Sequence, residues 1–316
     1  MILSIALLIL SLLTVIKSAD YAIHYSGKIA RSLNLSKYIV GFLIVAVISI
    51  LPETLVSVNS ALKGVPAFGL GTLYGSNIAD LTLVFALVVL LSSRNLKIES
   101  KIIKNRFFYI GLVAIPILLG LNGHYSRLEG IILIISGLSF YFYILNKNHC
   151  SPKDIKEKIN LSDLTLLIIS MIGLIFGSHF TVKYGITFAN SLKINPVLIG
   201  MFVVGVGTTL PELFFSVRAA KNHNDDLALG DILGTVMADA TIVVGIIAVI
   251  IPFAFNPKII YITGTFMFLA INLLFHFIKT EKLLTKKEAV LLLFFYFIFV
   301  FTELAINDQR FIELFK

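Results

Sequence analysis

The chain has 316 residues, 58% of them hydrophobic and only 14% charged, with a mean hydropathy of +0.95 and a formal net charge of +8. A soluble domain of this size is excluded, because apolar runs of about 20 residues recur along the whole length, enough to cross roughly 30 Å of hydrocarbon. The single cysteine, Cys150, can form no internal disulfide and fits no metal-ligand spacing, and the basic balance reads as loop bias across a membrane rather than as affinity for nucleic acid.

In chain order, the opening run "MILSIALLILSLLTVI" reads as a first membrane helix. A signal peptide would have a basic n-region before it and a small-residue cleavage site after it. Further spans follow near 38–62, 67–92, 107–122, 128–146, 162–190, 197–220, 227–251, 258–278 and 287–305, the first covering 2–27. Helices are required because backbone polar groups in lipid must bond within their own segment. A barrel would show shorter, alternating segments. The fold class is therefore an all-α membrane protein of ten transmembrane helices. Lys17 and Asp20 in the first span form an i, i+3 pair, and His179 and Lys183 hold related positions in the sixth. "NHCSPKDIKEKIN" (148–160) is a polar linker, Asp225 and Asp226 sit in a solvated turn, and Glu303 falls at the interface end of the last span.

With the N-terminus outside, about eighteen Lys and Arg fall in inside loops and about seven outside. The positive-inside rule selects that orientation. Ten spans return the C-terminus to the outside as well, in a cell membrane.

Sliding the chain by 159 positions lays "GFLIVAVISILPETLVSVNSAL" (41–62) on "GMFVVGVGTTLPELFFSVRAAK" (200–221). It also lays "GLGTLYGSNIADLTLV" (69–84) on "ALGDILGTVMADATIV" (228–243), with no gap. Apolar composition explains matched Val and Leu cheaply. It does not explain Leu-Pro-Glu recurring at 51–53 and 210–212, or Ala-Asp at 79–80 and 238–239. Each copy has five spans, so the second enters the membrane from the opposite side. The chain divides into a first five-helix repeat (1–146), a cytoplasmic linker (147–160) and a second, inverted repeat (161–316). Inverted repeats are a signature of secondary transporters that bind substrate at the midplane between the copies.

Proline has no N–H and clashes with the carbonyl four residues back. Pro52 and Pro211 should therefore free the carbonyls of Ile48 and Gly207, beside Glu53 and Glu212. A charge at the bilayer centre costs about 2.5–3.5 kcal/mol, so Glu53, Asp80, Glu212 and Asp239 together cost on the order of 10 kcal/mol. No Lys or Arg shares their depth in these spans, so the counter-charge must be metal ions or protons. Carboxylates, carbonyls and hydroxyls suit hard cations such as Ca²⁺. Ser49, Thr208 and Thr209 precede the two glutamates, and Ser76 and Thr235 lie one turn before Asp80 and Asp239. Gly71 and Gly75, like Gly230 and Gly234, form G-x-x-x-G pairs that admit close helix approach.

"GTTLPE" (207–212) and "GSNIAD" (75–80) resemble the two α-repeats of the cation/calcium exchanger superfamily, in particular the prokaryotic sodium/calcium exchangers. That family typically reads Gly-Thr-Ser-Leu-Pro-Glu, then Gly-Ser-Asn-Ile-Ala-Asp or Asn. The resemblance covers essentially the whole chain. It implies a central calcium site made by Glu53 and Glu212 with Ser49 and Thr208. It implies flanking sodium sites lined by Ala46, Ser76, Asp80, Gly205, Thr209, Thr235 and Asp239, partly through backbone carbonyls. It also implies that the first and sixth spans slide across the rest to switch access. The first copy departs from the pattern: it reads "ISILPE", with Ile50 lacking the hydroxyl of Thr209 and Ile48 bulky where Gly207 is small. Asp80 stands where many relatives have asparagine, which adds a negative charge and leaves sodium and proton both open as the coupling ion.

The leading reading is thus an antiporter exchanging Ca²⁺ for Na⁺ by alternating access. No cofactor is expected, and the partners are the two ions and membrane lipid, with no nucleic acid and no obligatory protein partner. The alternative is proton-coupled exchange of Ca²⁺ or another divalent cation. A remote alternative is an intramembrane aspartyl protease, since "LGD" (229–231) partly matches a Gly-x-Gly-Asp motif, although residue 228 is alanine. A channel is disfavoured because four acids would hold a divalent ion tightly unless the protein moves.

Overall fold

The structure, a computed structural model, describes residues 2–32, 49–92, 94–97, 105–147, 161–281 and 283–307. It is all helical apart from two tiny ribbons. Helix α1 spans Ile2–Ser32, α2 Leu51–Leu62, α3 Pro66–Ala79 and α4 Phe85–Ser92, with a π-helical turn at Asp80–Val84 joining the last two. Then come α5 (Arg106–Leu119), α6 (Arg127–Lys147) and α7 (Leu161–Leu192). A broken run follows: α8 (Pro196–Ile199), a π turn at Gly200–Val204, α9 (Gly205–Thr208) and α10 (Leu210–Lys221). Helix α11 (Asp225–Ala238) leads through a π turn at Asp239–Val243 into α12 (Val244–Ile250). A π turn at Ile260–Gly264 opens α13 (Thr265–Glu281), and α14 (Lys286–Asn307) ends the described chain. Seven helical runs among the described residues are long and apolar enough to cross a membrane, and Arg106–Asn122 is a shorter apolar one. The fold is that of an all-α, multi-pass membrane protein.

Local sequence sets the breaks. Pro52, Pro66, Pro196 and Pro211 all sit in first turns, where a missing N–H leaves no bond unmade. Helix α2 closes on Gly64 at φ +75, with Gly64 N donating to Ala61 O and Val65 N to Ser60 O. Helix α10 closes identically on His223 at φ +58, with bonds to Ala220 O and Ala219 O. Glycine adopts that left-handed conformation freely, whereas a histidine there is uncommon.

Several other features also recur 159 positions apart. Ser126 and Glu129 form a capping box at the start of α6, and Thr285 and Glu288 form one at the start of α14. Ser57 donates to Gly69 O and Ser216 to Ala228 O. Thr82 donates to Ile78 O and Thr241 to Met237 O, each inside its π turn. The ribbons pair the two copies crosswise: β1 (Leu96–Lys97) pairs antiparallel with β4 (Leu283–Leu284), and β2 (His124–Tyr125) with β3 (Phe253–Ala254).

Glycine contacts give helix directions. Gly173 of α7 lies against Ser18 of α1, and Gly177 against Val15, so the two helices run antiparallel. The Lys28–Asp163 ion pair, at 3.4 Å, joins their far ends. Gly71 meets Val197 and Gly75 meets Met201, so α3 and the run beginning at Pro196 lie parallel and in backbone contact. Such close approach is what small residues permit at helix crossings in a membrane.

Three expectations need correction. No ion pair joins Lys17 to Asp20, and both side chains are exposed. Asp225 is not a solvated turn residue: it is 8% exposed, paired with the Arg94 guanidinium, and accepts a bond from Lys97 N. Asp225 caps a cross-chain junction that sequence distance conceals. The side chain of Asp226 lies outside the described residues. Glu303 is buried, 1% exposed, and accepts bonds from Thr263 Oγ1 and Asn307 Nδ2. It faces the bundle because α14 turns that side toward the π turn at Ile260–Gly264. Cys150 and the linker 148–160 lie outside the described residues.

Candidate ion-binding site

The interrupted helices converge on buried acids. Thr209 breaks the α9–α10 run for one residue, with φ −79 and ψ −4, and Glu212 follows at the start of α10. Gly207 O does not stay free, as the proline rule alone suggests. Backbone N–H groups at the break bond to Gly205 O and Gly207 O, so the chain tightens instead of opening. The matching carbonyl, of Ile48, lies outside the described residues, as does Ala46. Glu53 occupies the first turn of α2, and Asp80 and Asp239 are the first residues of their π turns. A π turn inserts one extra residue into the helix and commonly marks a functional position. Neither turn was legible in the apolar sequence around it.

All four carboxylates are fully buried, at 0% exposure. All eight of their oxygens lack a hydrogen-bond partner. Buried polar atoms are normally paired, and a carboxylate without a partner is the costliest kind to leave so. Glu53 lies within electrostatic reach of Asp80, Glu212 and Asp239. The two described ion pairs, Lys28–Asp163 and Arg94–Asp225, involve none of these acids. The acids share one neighbourhood without closing on one point: among the described residues, no three acidic, histidine or cysteine side chains form a finished metal-holding group.

The hydroxyls surround them. Thr208 stands beside Glu53 and Ser76 beside Asp239, yet each donates its proton to its own helix, to Gly205 O and Leu73 O. Thr209 likewise donates to Val206 O. A hydroxyl used this way keeps lone pairs for a cation. Thr235 Oγ1 is buried with no partner. Gly205 O already accepts from Thr209 N and Thr208 Oγ1. Gly205 itself packs against Thr72 O and Ser76 N, where any larger residue would separate α3 from α9. Ser49 Oγ makes a contact that the sequence did not suggest, donating to Asp231 Oδ1 at 3.2 Å. Asp231 is a further buried acid, 3% exposed. Its one sequence signal is that an acid interrupts the apolar run of 228–250, where the first copy has Thr72. Asn77 Oδ1 is a further buried, unpartnered oxygen beside Met267. A groove of about 600 Å³ between α1 and α7, lined by Leu10, Lys17, Tyr21 and Ile169, holds none of these acids.

Oxygen-only ligands, buried without counter-charge between helices broken at mid-span, define a membrane transporter of hard cations. The relationships to known proteins agree. Residues 3–145 and 162–305 match the sodium/calcium exchanger protein family, and the chain belongs to it. It is an ion exchanger and not an enzyme, which removes the protease alternative. It is similar to the putative antiporter CaxA of Alkalimonas amylolytica (30% identity over 77% of this chain and 80% of that one). It is also similar to the sodium/calcium exchanger MaX1 of Methanosarcina acetivorans (23%, over 93% and 96%). Among solved structures it resembles the sodium-calcium exchanger NCX_Mj soaked with 2.5 mM Na⁺ and 0.1 mM Ca²⁺. That likeness has a TM-score of 0.68 at 25% identity and covers 98% of this chain and 99% of the other.

Proposed function

We propose that this chain is a secondary-active antiporter that exchanges Ca²⁺ for Na⁺ across a cell membrane by alternating access. The observation that carries the reading is the set of eight buried, unpartnered carboxylate oxygens on Glu53, Asp80, Glu212 and Asp239. Among the described residues no cationic side chain pairs with them, so transported cations must supply the positive charge.

Glu53 and Glu212, with Ser49 and Thr208, hold Ca²⁺ at the centre. Asp80, Asp239, Ser76, Thr209, Thr235, Gly205 and Ala46 line flanking positions for Na⁺. Because the two ions share carboxylates, one set displaces the other. Only a loaded, near-neutral pocket can cross the hydrocarbon without the cost of bare charge. Empty carboxylates hold the protein in place, so the two fluxes are coupled.

The chain forms ten spans in two inverted five-helix repeats, residues 1–146 and 161–316 joined by the cytoplasmic linker 147–160, with both termini outside. The features recurring 159 positions apart support this arrangement: the left-handed helix ends at Gly64 and His223, the two capping boxes, and the paired π turns. The helix directions support it too, since α1 and α7 run antiparallel while α3 and the run beginning at Pro196 run parallel. The α1–α7 pair is the element that slides. It packs on itself through Ser11, Val15, Ser18, Gly173 and Gly177, and much of its remaining surface is exposed apolar side chain facing lipid.

The test is radioactive Ca²⁺ uptake into liposomes carrying the purified protein. An outward Na⁺ gradient should drive uptake and collapsing it should stop uptake. Uptake driven only by a pH gradient would replace sodium with the proton, a choice that the additional acid Asp80 keeps chemically available. No gradient-driven uptake of any divalent ion would overturn the exchanger reading for this chain.

A further inference from the structure

Asp231 is not used by the exchange mechanism above, yet it is as buried as the acids that are. Its Oδ1 accepts the Ser49 hydroxyl at 3.2 Å, and its Oδ2 has no partner. One turn further along α11, on the same face, Thr235 Oγ1 is also buried and unpartnered. Ser216 of α10 flanks the carboxylate from the other side, its proton directed to Ala228 O. Two unsatisfied oxygens thus lie one turn apart on one face of α11, and two hydroxyls with free lone pairs stand beside the first of them. The repeat sharpens the point. The position equivalent to Asp231 in the first copy is Thr72, whose hydroxyl is satisfied within its own helix by Phe68 O. Ser57, the mate of Ser216, and Ser76, the mate of Thr235, are both present. The two copies thus share the hydroxyl scaffold and differ by one negative charge.

We propose that Asp231, with Ser49, Ser216 and Thr235, forms an additional cation subsite that has no counterpart at the repeat-related position, and that it takes Na⁺. This rests on the exchanger reading. One carboxylate with neutral oxygens balances one positive charge, whereas Ca²⁺ takes six to eight oxygens and draws on several carboxylates. Asp231 lies toward the Lys221 end of α10 and α11, the expected cytoplasmic side. The Asp231 subsite makes the pathway electrostatically unequal at its two ends, despite the near-symmetry of the backbone. A sodium ion held there takes its charge balance from Asp231 and uses neither Glu53 nor Glu212, sharing with the sites above only the Ser49 and Thr235 hydroxyls.

Equilibrium ²²Na⁺ binding to the purified protein, at saturating Ca²⁺, tests this. The wild type should retain about one Na⁺ per chain, and D231N and D231T should retain none. In Na⁺ displacement of ⁴⁵Ca²⁺, the same variants should leave the Hill coefficient unchanged, and the Ca²⁺ dissociation constant without Na⁺ should move by less than about threefold. Absence of residual Na⁺ on the wild type at saturating Ca²⁺ overturns the subsite without any variant. A tenfold or greater loss of Ca²⁺ affinity in folded D231N also overturns it, since Asp231 would then belong to the calcium site. If the wild type shows no competition between Na⁺ and Ca²⁺ at all, the exchanger reading itself fails, which is a distinct result.

Discussion

Replacing Gly75 by alanine would put a Cβ 2.4 Å from Met201 O and 2.7 Å from Met201 Cα. Both are backbone atoms of the π turn at Gly200–Val204, so no side chain can rotate away. Ordinary contact begins near 3.4 Å, and α3 must part from its neighbour by about 1 Å. Overpacking of this kind costs about 1–3 kcal/mol. The strain falls on the site, because Ser76 is the next residue and Gly205 packs on Ser76 N and Thr72 O across the same crossing. Calcium–oxygen distances span only about 2.3–2.6 Å, so a 1 Å displacement cannot be absorbed by the ligands. With the strain felt in the cation-bound state, half-saturation for Ca²⁺ should rise about five- to 140-fold at 1.4 kcal/mol per decade. The assay is ⁴⁵Ca²⁺ uptake in liposomes against Ca²⁺ concentration, with thermal unfolding in detergent alongside. Gly111→Ala is the control. That glycine, inside α5, has nothing within 4 Å of an added Cβ, and alanine there should stabilise by about 0.5–1 kcal/mol through helix propensity. G75A with half-saturation within twofold of wild type and an unchanged melting temperature would refute the close-crossing argument.

E53Q and E212Q should each abolish ion-driven Ca²⁺ flux while the protein still folds, since an amide keeps the shape and removes the charge; near-normal flux in either, measured in the same liposomes, contradicts the site. Removing the Arg94 side chain (R94A) strips the guanidinium bonds from Asp225 and Ala220 O, leaving them Lys97 N and His223 N, and should cost about 1.5–3 kcal/mol, read as a lower melting temperature with Ca²⁺ affinity preserved. S126A and T285A remove the equivalent capping hydroxyl from α6 and α14, and should destabilise by similar amounts, about 1 kcal/mol each; a large inequality between their melting temperatures would argue against equivalent helix starts. Y125F should cost about 1–3 kcal/mol, because Tyr125 Oη bonds both Tyr74 Oη and Pro116 O in a buried cluster.

The sequence determined much of this protein by itself. Hydropathy located helices close to where they stand, within a few residues at most ends, because in lipid each helix must satisfy its own backbone and length follows from bilayer thickness. Repeated Leu-Pro-Glu and Ala-Asp marked the acids, because a buried charge is too costly to be incidental. The π turns at Asp80 and Asp239 were not legible, since one extra residue per turn leaves no mark on an apolar run. The partners of Asp225 and Glu303 were not legible either, because each lies on another helix far away in sequence. In the sequence Asp231 stood out only as the acid of a partial protease motif, and tertiary packing set it against Ser49. One-dimensional reading finds which groups are expensive to bury. Only packing decides which expensive groups meet, because that depends on helix crossings fixed at the ångström scale by residues such as Gly75 and Gly205.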